Sequence, residues 1–411
     1  MGKTKEVYCG VHGYVALTPL AQRFTDTREF QRLGFIKQLG ASTFVFACAD
    51  HTRKAHSLGV YHLARRLATL LRARHPQLVS ERDIELVGLA GLLHDLGHAC
   101  FSHLYDEAVA LHGPSTSPRA THEARSVALV RRLVRRYAVP LSTDEVDVVC
   151  RVIWGGDDWR TDVVSGVVDV DRMDYLCRDS LNTGVVTPFR AHAVDHILRH
   201  ASIVDGRLAF HPKVRPDVED MLRARWFLHE RVYQHRVCVA IECMLLDVLA
   251  LVHASGWRVL DVDDEDTFLA LHDGLLVGLQ RDPRTPPAAA ALLDRVWKRD
   301  FYQEAYCEEF DGDDVDVDAL RALASTHDAV VRARWLGMGA GAQHPLQRVR
   351  FVPGARPSTP RPAEGPHRRY RVTVVAKHRD GCAAARAAAV DWCAAQSRSA
   401  SPPKRSRTSS W

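Results

Sequence analysis

The sequence predicts a predominantly α-helical fold: a large helical core followed by a small mixed α/β lobe. Apolar residues recur every three to four positions along most of the chain, the period of a helix with one buried face. Strand-like runs are short and few. From residue 338 onward the composition shifts to Gly, Pro, Ala and Arg before a strand signal returns.

The elements follow in order. Residues 14–18 (YVALT) and 43–46 (TFVF) read as strands. A helix is expected over 57–74, where Leu58, Leu63, Leu67, Leu70 and Leu71 alternate with arginines. Another is expected over 83–95, through Ile84, Val87, Ala90 and Leu92. Further helical periods cover 123–137, 144–153, 190–201, 218–254, 266–280 and 288–302. Strand signals return at 349–352 and 370–377, and a short helix at 383–395. Residues 397–411 (SRSASPPKRSRTSSW) have the composition of a disordered basic tail. The division expected is a core over 1–335, a lobe with a Gly/Pro-rich insertion over 336–396, and the tail.

At 46% hydrophobic and 26% charged, 411 residues can bury a core, which excludes a wholly disordered chain. The most apolar run, 237–252, is interrupted by Glu242 and Asp247, so no membrane span is expected. MGKTKEVYCG lacks the apolar stretch of a signal peptide, and Glu6 stands where a myristoylation motif needs Ser or Thr. Ten cysteines lie singly without a C-x-x-C pair, the pattern of reduced thiols inside a cell, in nucleus or cytoplasm. The net charge of +5 suits polyanionic partners, nucleotides or nucleic acid. The tail's PPKRSR is similar to a nuclear-import signal and could also hold phosphates weakly.

The densest chemistry lies in 92-LLHDLGHACFSHLYD-106. Consecutive helical residues point about 100° apart. His94 and Asp95 can therefore share one ion only if other ligands close the site. The sequence offers His56 upstream and Asp171 downstream, within 168-VDVDRMDYLCRD-179. Mixed imidazole and carboxylate ligands suit Fe, Mn or Zn, and Mg less well alone. A single His-Asp dipeptide is usually chance; the order H…HD…D is a stronger signal.

The motifs 26-DTREFQRLGFIKQLG-40, 51-HTRKAHSLGV-60, 90-AGLLHDLGHACFSH-103, 121-THE-123, 169-DVDRMDYLCRD-179 and 225-RWFLHERVYQHRV-237 resemble those of the HD-domain phosphohydrolases. Among these they are most similar to the SAM-and-HD-domain dNTP triphosphohydrolases of vertebrates, with the bacterial dGTP triphosphohydrolases further off. The resemblance covers almost all of the chain and begins at the catalytic core, so no SAM domain is expected.

The resemblance implies His56, His94, Asp95 and Asp171 as metal ligands, with Mg possible beside the transition metal. It makes His103 the proton donor to the leaving 5′ oxygen, inside a network of His98, Asp106 and His122. Arg53, Arg172 and Arg225 would contact phosphates, Arg172 standing where the family has lysine. Gln38 and Asp179 would bind the 3′ hydroxyl, and Leu39 and Tyr175 would pack against C2′ and exclude a 2′ hydroxyl. Tyr233 and Gln234 would flank the base, Tyr233 by stacking. Read without the family, Arg225 is a solvated helix residue, and Leu39 and Tyr175 are core packing.

The family is also regulated by nucleotides that assemble a homo-oligomer. Asp26, Gln31, Val45 and Phe46 remain from that regulatory region. Gly34 replaces a guanine-reading arginine, and Tyr8, Cys9 and Gly10 replace an Asn-Asp-Pro pattern, so activation by GTP is not expected. Lys213, Arg231, His235 and Arg236 offer cations to a second nucleotide, or are solvated helix-face charges. The function implied is metal-dependent hydrolysis of dNTPs to deoxynucleoside and triphosphate, limiting the dNTP pool. The alternatives are hydrolysis of another nucleotide, or a dead scaffold that binds nucleic acid or a protein.

Overall fold

The structure, a computed structural model, describes residues 5–114, 116–312, 315–338, 343–352 and 368–399. It opens with an antiparallel hairpin, β1 (Lys5–Cys9) and β2 (Gly13–Leu17), in which Cys9 pairs with Gly13. Strand alternation buries Cys9, Val15 and Leu17 and leaves Tyr8 and Tyr14 outside. Helices α1 (Pro19–Thr25) and α2 (Arg28–Gln31) each start on a threonine whose side chain accepts a first-turn N–H.

The run 43–46 is not a strand. Residues Gly40–Phe44 form a 3₁₀ turn, and the N–H groups of Val45 and Phe46 both bond back to the Ser42 carbonyl. Its Thr-Phe-Val-Phe composition favours strands, but no strand lies alongside it to complete a ladder.

The core is helical as expected. α3 (Arg53–Arg74) and α4 (Glu81–Leu93) pack along their length, and α4 starts on a Ser80–Asp83 capping box. Then come α5 (His103–His112), α6 (His122–Arg136), α7 (Thr143–Trp154), α8 (Trp159–Ser165), α9 (Val170–Thr183) and α10 (Ala191–Leu198). A second hairpin, β3 (Ala201–Val204) with β4 (Arg207–Phe210), leads to α11 (Arg215–Leu228).

The helix expected over 218–254 is interrupted. A π-helical turn, His229–Tyr233, ends α11, and α12 (Arg236–Val252) restarts under a His235 cap. The break at Gln234 is held from the lobe: Arg371 donates to the Gln234 carbonyl, and the Gln234 side-chain amide donates to the Trp335 carbonyl. The helix expected over 266–280 likewise splits into α13 (Glu265–Leu269) and α14 (Leu275–Arg281), because the Asp273 carboxylate between them bonds outward to other loops. α15 (Pro287–Trp297) completes the core.

By length and composition alone, residues Arg236–Trp257 pass for a membrane span despite their two acids. In the fold this segment is the central core helix, with 61% of its apolar window buried. Its two acids are satisfied, Glu242 by Arg334 and Asp247 by Tyr302 and Lys377.

The lobe is an antiparallel sheet with β7 (Arg368–Ala376) between β5 (Gln303–Phe310) and β6 (Ala329–Gly337). α16 (Val317–Ser325) and α18 (Cys382–Ser399) cover one face, and a separate apolar cluster runs from Ala305 to Trp392. The sheet therefore takes strands from both sides of residue 335. α17 (Pro345–Arg348) precedes Phe351, which makes a single parallel bridge to Phe210 where a strand over 349–352 was expected. Much of the expected insertion and most of the expected tail lie outside the described residues. No disulfide joins any two of the ten cysteines.

Candidate metal centre and substrate cavity

Three helix ends converge on one point. The Thr52 cap starts α3 and puts His56 in its first turns; His94 and Asp95 follow the last turn of α4; Asp171 lies in the first turn of α9, whose cap is Asp169. His56 Nε2 is 2.9 Å from Asp171 Oδ1 and 3.7 Å from Asp95 Oδ2. His94 Nε2 is 3.3 Å from Asp95 Oδ1 and 3.6 Å from Asp171 Oδ1. The structure thus brings together all four residues expected as ligands.

Their hydrogen bonds turn the right atoms inward. His56 Nδ1 donates to Asp174 Oδ2 at 2.7 Å, and His94 Nδ1 donates to the Gly91 carbonyl at 2.9 Å. Both Nε2 lone pairs then face the carboxylates, and His94 Nε2 is buried without a hydrogen-bond partner. Burial alone would lower the proton affinity of His56, but Asp171 and Asp174 reverse this and push it up to about 10. The point demands positive charge, a proton or a cation. Two imidazoles and two carboxylates fit a divalent metal, which binds by displacing such protons.

The support around these ligands was missing from the sequence reading. Asp174 is fully buried and accepts from His56, from Arg178 Nε and Nη2, and from His12 of the first hairpin. Its position three residues after Asp171, on the same side of α9, was the available signal. Gly59 makes room for it: a Cβ there would fall 1.9 Å from Asp174 Oδ1. Arg53, expected on phosphate, donates to Asp95 Oδ2 at 2.8 Å, to Ser102 Oγ and to the Gln38 carbonyl.

A second cluster gathers His98, His103, Asp106 and His122. His98 stacks on His122 with ring centres 4.0 Å apart, and His103 stands edge-on to both. His122 Nδ1 donates to Asp106 Oδ2 at 2.7 Å, while Arg125 pairs with the other carboxylate oxygen. His98 is buried, its Nε2 3.3 Å from Asp95 Oδ1 and its Nδ1 without a hydrogen-bond partner. Gly97 permits the approach, since a Cβ would meet the His122 carbonyl at 2.1 Å. The protein mass around His103, and then the charges of Arg53 and His122, hold its imidazole down at about 3. That is well below the ordinary imidazole value.

His103 is aimed by a strained turn. Phe101 and Ser102 both have positive φ, 62° and 58°, which non-glycine residues rarely adopt. Asp273, absent from the sequence reading, holds this turn: it accepts from the N–H of Phe101 at 2.7 Å and of Lys37 at 2.8 Å.

A cavity of about 900 Å³ opens from these residues. Gln38, Leu39, Arg53, Arg172, Tyr175, Asp179, Arg225, Tyr233 and Gln234 all line it. Gln38 Oε1 is buried without a partner. Asp179 is held by His51 at 2.7 Å and by the Tyr233 hydroxyl at 2.6 Å, so Tyr233 is tied to that carboxylate. Arg225 donates to the Tyr175 hydroxyl at 2.5 Å. Arg172 turns back onto the Gly166 and Val167 carbonyls and Asp169, and Gln234 points its amide at the lobe. The sequence reading missed His229 in the π-helical turn, and Glu107, Glu242, Arg334 and Trp335 on the lobe side. Arg334 pairs with both of those acids.

None of the eight residues expected at a regulatory site lines this cavity. Asp26 pairs with Lys5, and Gln31 bonds the Thr25 carbonyl and Lys54. Phe46, next to Val45, meets His235 edge-on, and Arg231 lies over Phe227. Lys213 and Arg236 are exposed. Beside Gly34, the space a side chain would enter borders Lys54, 3.6 Å from a Cβ.

Residues 53–179, which carry all four candidate ligands, match the HD domain family. More particularly, the chain is similar to the deoxynucleoside triphosphate triphosphohydrolase SAMHD1 homolog of Dictyostelium discoideum, 32% identical over 309 residues, covering 71% of this chain and 58% of the relative. It is similar also to SAMHD1 of Homo sapiens, 30% identical over 326 residues, covering 69% and 52%. An HD domain-containing protein of Acanthamoeba polyphaga mimivirus is 29% identical over 293 residues, covering 66% and 63%. The match thus spans less than two thirds of each of these relatives.

Proposed function

We propose that the protein hydrolyses deoxynucleoside triphosphates to deoxynucleoside and inorganic triphosphate. One observation carries this reading: His94, Asp95 and Asp171 of the ligand set and the partnerless Gln38 Oε1 line one cavity, a phosphate centre beside an unmet acceptor for a sugar hydroxyl. His56, His94, Asp95 and Asp171 would hold Fe, Mn or Zn, with Mg possible alongside. Such an ion, when bound, offsets polyphosphate charge and makes water more acidic.

In the reaction a water oxygen bonds to the α-phosphorus and gives up a proton to solvent as the bond to O5′ breaks, and O5′ takes a proton. His103 is the donor. With its imidazole held down at about 3 it is neutral in the empty cavity, so the arriving polyphosphate must raise its affinity for the proton it delivers. Asp106 and His122 orient it. Gln38 accepts from the 3′ hydroxyl beside Asp179, and Leu39 and Tyr175 leave no partner for a 2′ hydroxyl. A buried unpaired hydroxyl costs roughly 1–3 kcal/mol, which favours dNTPs. Arg225 and Arg172, the latter after leaving its own helix cap, meet the phosphates.

We further propose that the protein acts inside the cell, that it assembles as a homo-oligomer, and that GTP does not activate it through Gly34. Turnover unchanged by added GTP supports the last point; strict dependence on GTP overturns it. The function is tested by product analysis with dGTP and, separately, GTP in the presence of Mn or Mg. Triphosphate and deoxyguanosine from dGTP alone is the expected result. Orthophosphate as product would point to another nucleotide hydrolase. No hydrolysis with mixed dNTPs would favour a binding scaffold.

A further inference from the structure

We infer that His12, in the turn of the first hairpin, is a positioning residue for the metal centre, acting through Asp174 on His56. The inference rests on the metal reading above. Asp174 has no exposed surface and four donors divided between its two oxygens. Oδ2 accepts from His56 Nδ1 at 2.7 Å and from Arg178 Nε at 2.8 Å. Oδ1 accepts from His12 Nε2 at 2.6 Å and from Arg178 Nη2 at 2.7 Å.

Each donor restrains a different motion. Arg178 grips both oxygens, but it lies one turn along the same helix, so it moves with α9. His12 is the only one of the four donors that comes from the N-terminal hairpin, 162 positions away in sequence. It fixes the carboxylate relative to the rest of the core. Its side chain is 9% exposed, and its ring lies nearly parallel to His62 with centres 5.6 Å apart. The hairpin is seated by buried Val15 and Leu17 and by Cys9, whose sulfur accepts from Arg178.

Gly59 of α3 closes on Oδ1 itself, and not even a methyl group fits between them. Water therefore has no room on that side to replace a lost donor. Without His12, Oδ1 keeps one donor, the carboxylate gains freedom to turn, and His56 loses the fixed acceptor that sets its tautomer and ring angle. Partners of metal-bound histidine typically alter metal affinity about 10- to 100-fold.

The test uses the full chain, stripped of metal and titrated with Mn(II) or Zn(II) against a chromogenic chelator. H12F keeps a ring against His62 and removes the donor; H12Q places an amide N–H near the position of Nε2. Expected are metal binding about 10-fold weaker in H12F and within about threefold of wild type in H12Q. Melting curves in excess chelator, similar for all three proteins, separate this from loss of fold; if H12F does not fold, H12L replaces it. Wild-type affinity in the donorless variant overturns the inference. Equal weakening in H12F and H12Q overturns it too, since the hydrogen bond would then not be the cause. A wild-type chain that binds no metal overturns the metal reading itself, and this inference with it.

Discussion

The two sides of the cavity are finished to different degrees. On the metal side, Nδ1 of each ligand histidine is already committed, Asp95 is braced by Arg53, and Asp174 has four donors. On the substrate side, Gln38 Oε1, Arg225 Nε and His229 Nδ1 are buried without partners. Leaving a buried polar atom unmet costs about 1–3 kcal/mol, so atoms that stay unmet mark where a ligand supplies the missing bond. The metal side is organised by the protein; the substrate side is completed by what binds there.

Changing the metal side should have the larger effects. Asp95→Asn keeps the shape but removes a charge that both a cation and Arg53 require. Turnover should fall about 10³-fold, with bound metal lost by elemental analysis. An active, metal-loaded D95N would break the distinction between the sides. Gly59→Ala drives a methyl group into Asp174 and should cost about 1–3 kcal/mol by denaturant titration while weakening metal binding.

The substrate side should respond differently. Gln38→Ala should lower kcat/KM for dGTP by roughly 10-fold, with metal content unchanged. If metal content falls as well, the two sides are one unit.

The smallest effect concerns His62, behind the hairpin. Burial, then the charges of His12 and Arg66, holds its imidazole at about 4. The unfolded chain binds that proton more readily, so the folded state is favoured fully above about pH 6.5 and loses the advantage as pH falls towards 4. His62→Gln should flatten the unfolding midpoint across that interval; an unchanged slope would mean that His62 is not the group responsible.

The metal side was also the more legible from sequence. His94, Asp95, His98 and His103 are close in the chain, and helical period and ligand chemistry point to them together. What was missed depends on distant pairing: His12 on Asp174, Asp273 on the Phe101 turn, Glu107 and Glu242 on Arg334. No local pattern reports such contacts. Tyr233 and Gln234 line the cavity, but hydrogen bonds to Asp179 and Trp335, which no local pattern reports, decide where they point. The helix over 218–254 was read as unbroken for the same reason: the lobe, which arrives much later in the chain, holds the break at Gln234.

That late arrival has a consequence for the newborn protein. By the time α9 has left the ribosome, the chain has every residue it needs to grip an ion. The roof over the cavity, Arg334 and Trp335 on β6, is stitched into its sheet by β7, which is made long after α9. A half-made chain could therefore load its metal while still lacking a closed chamber in which to use it. Competence to bind the ion and competence to turn over substrate would be separated in time, so an incomplete chain could carry metal without drawing on the nucleotides around it.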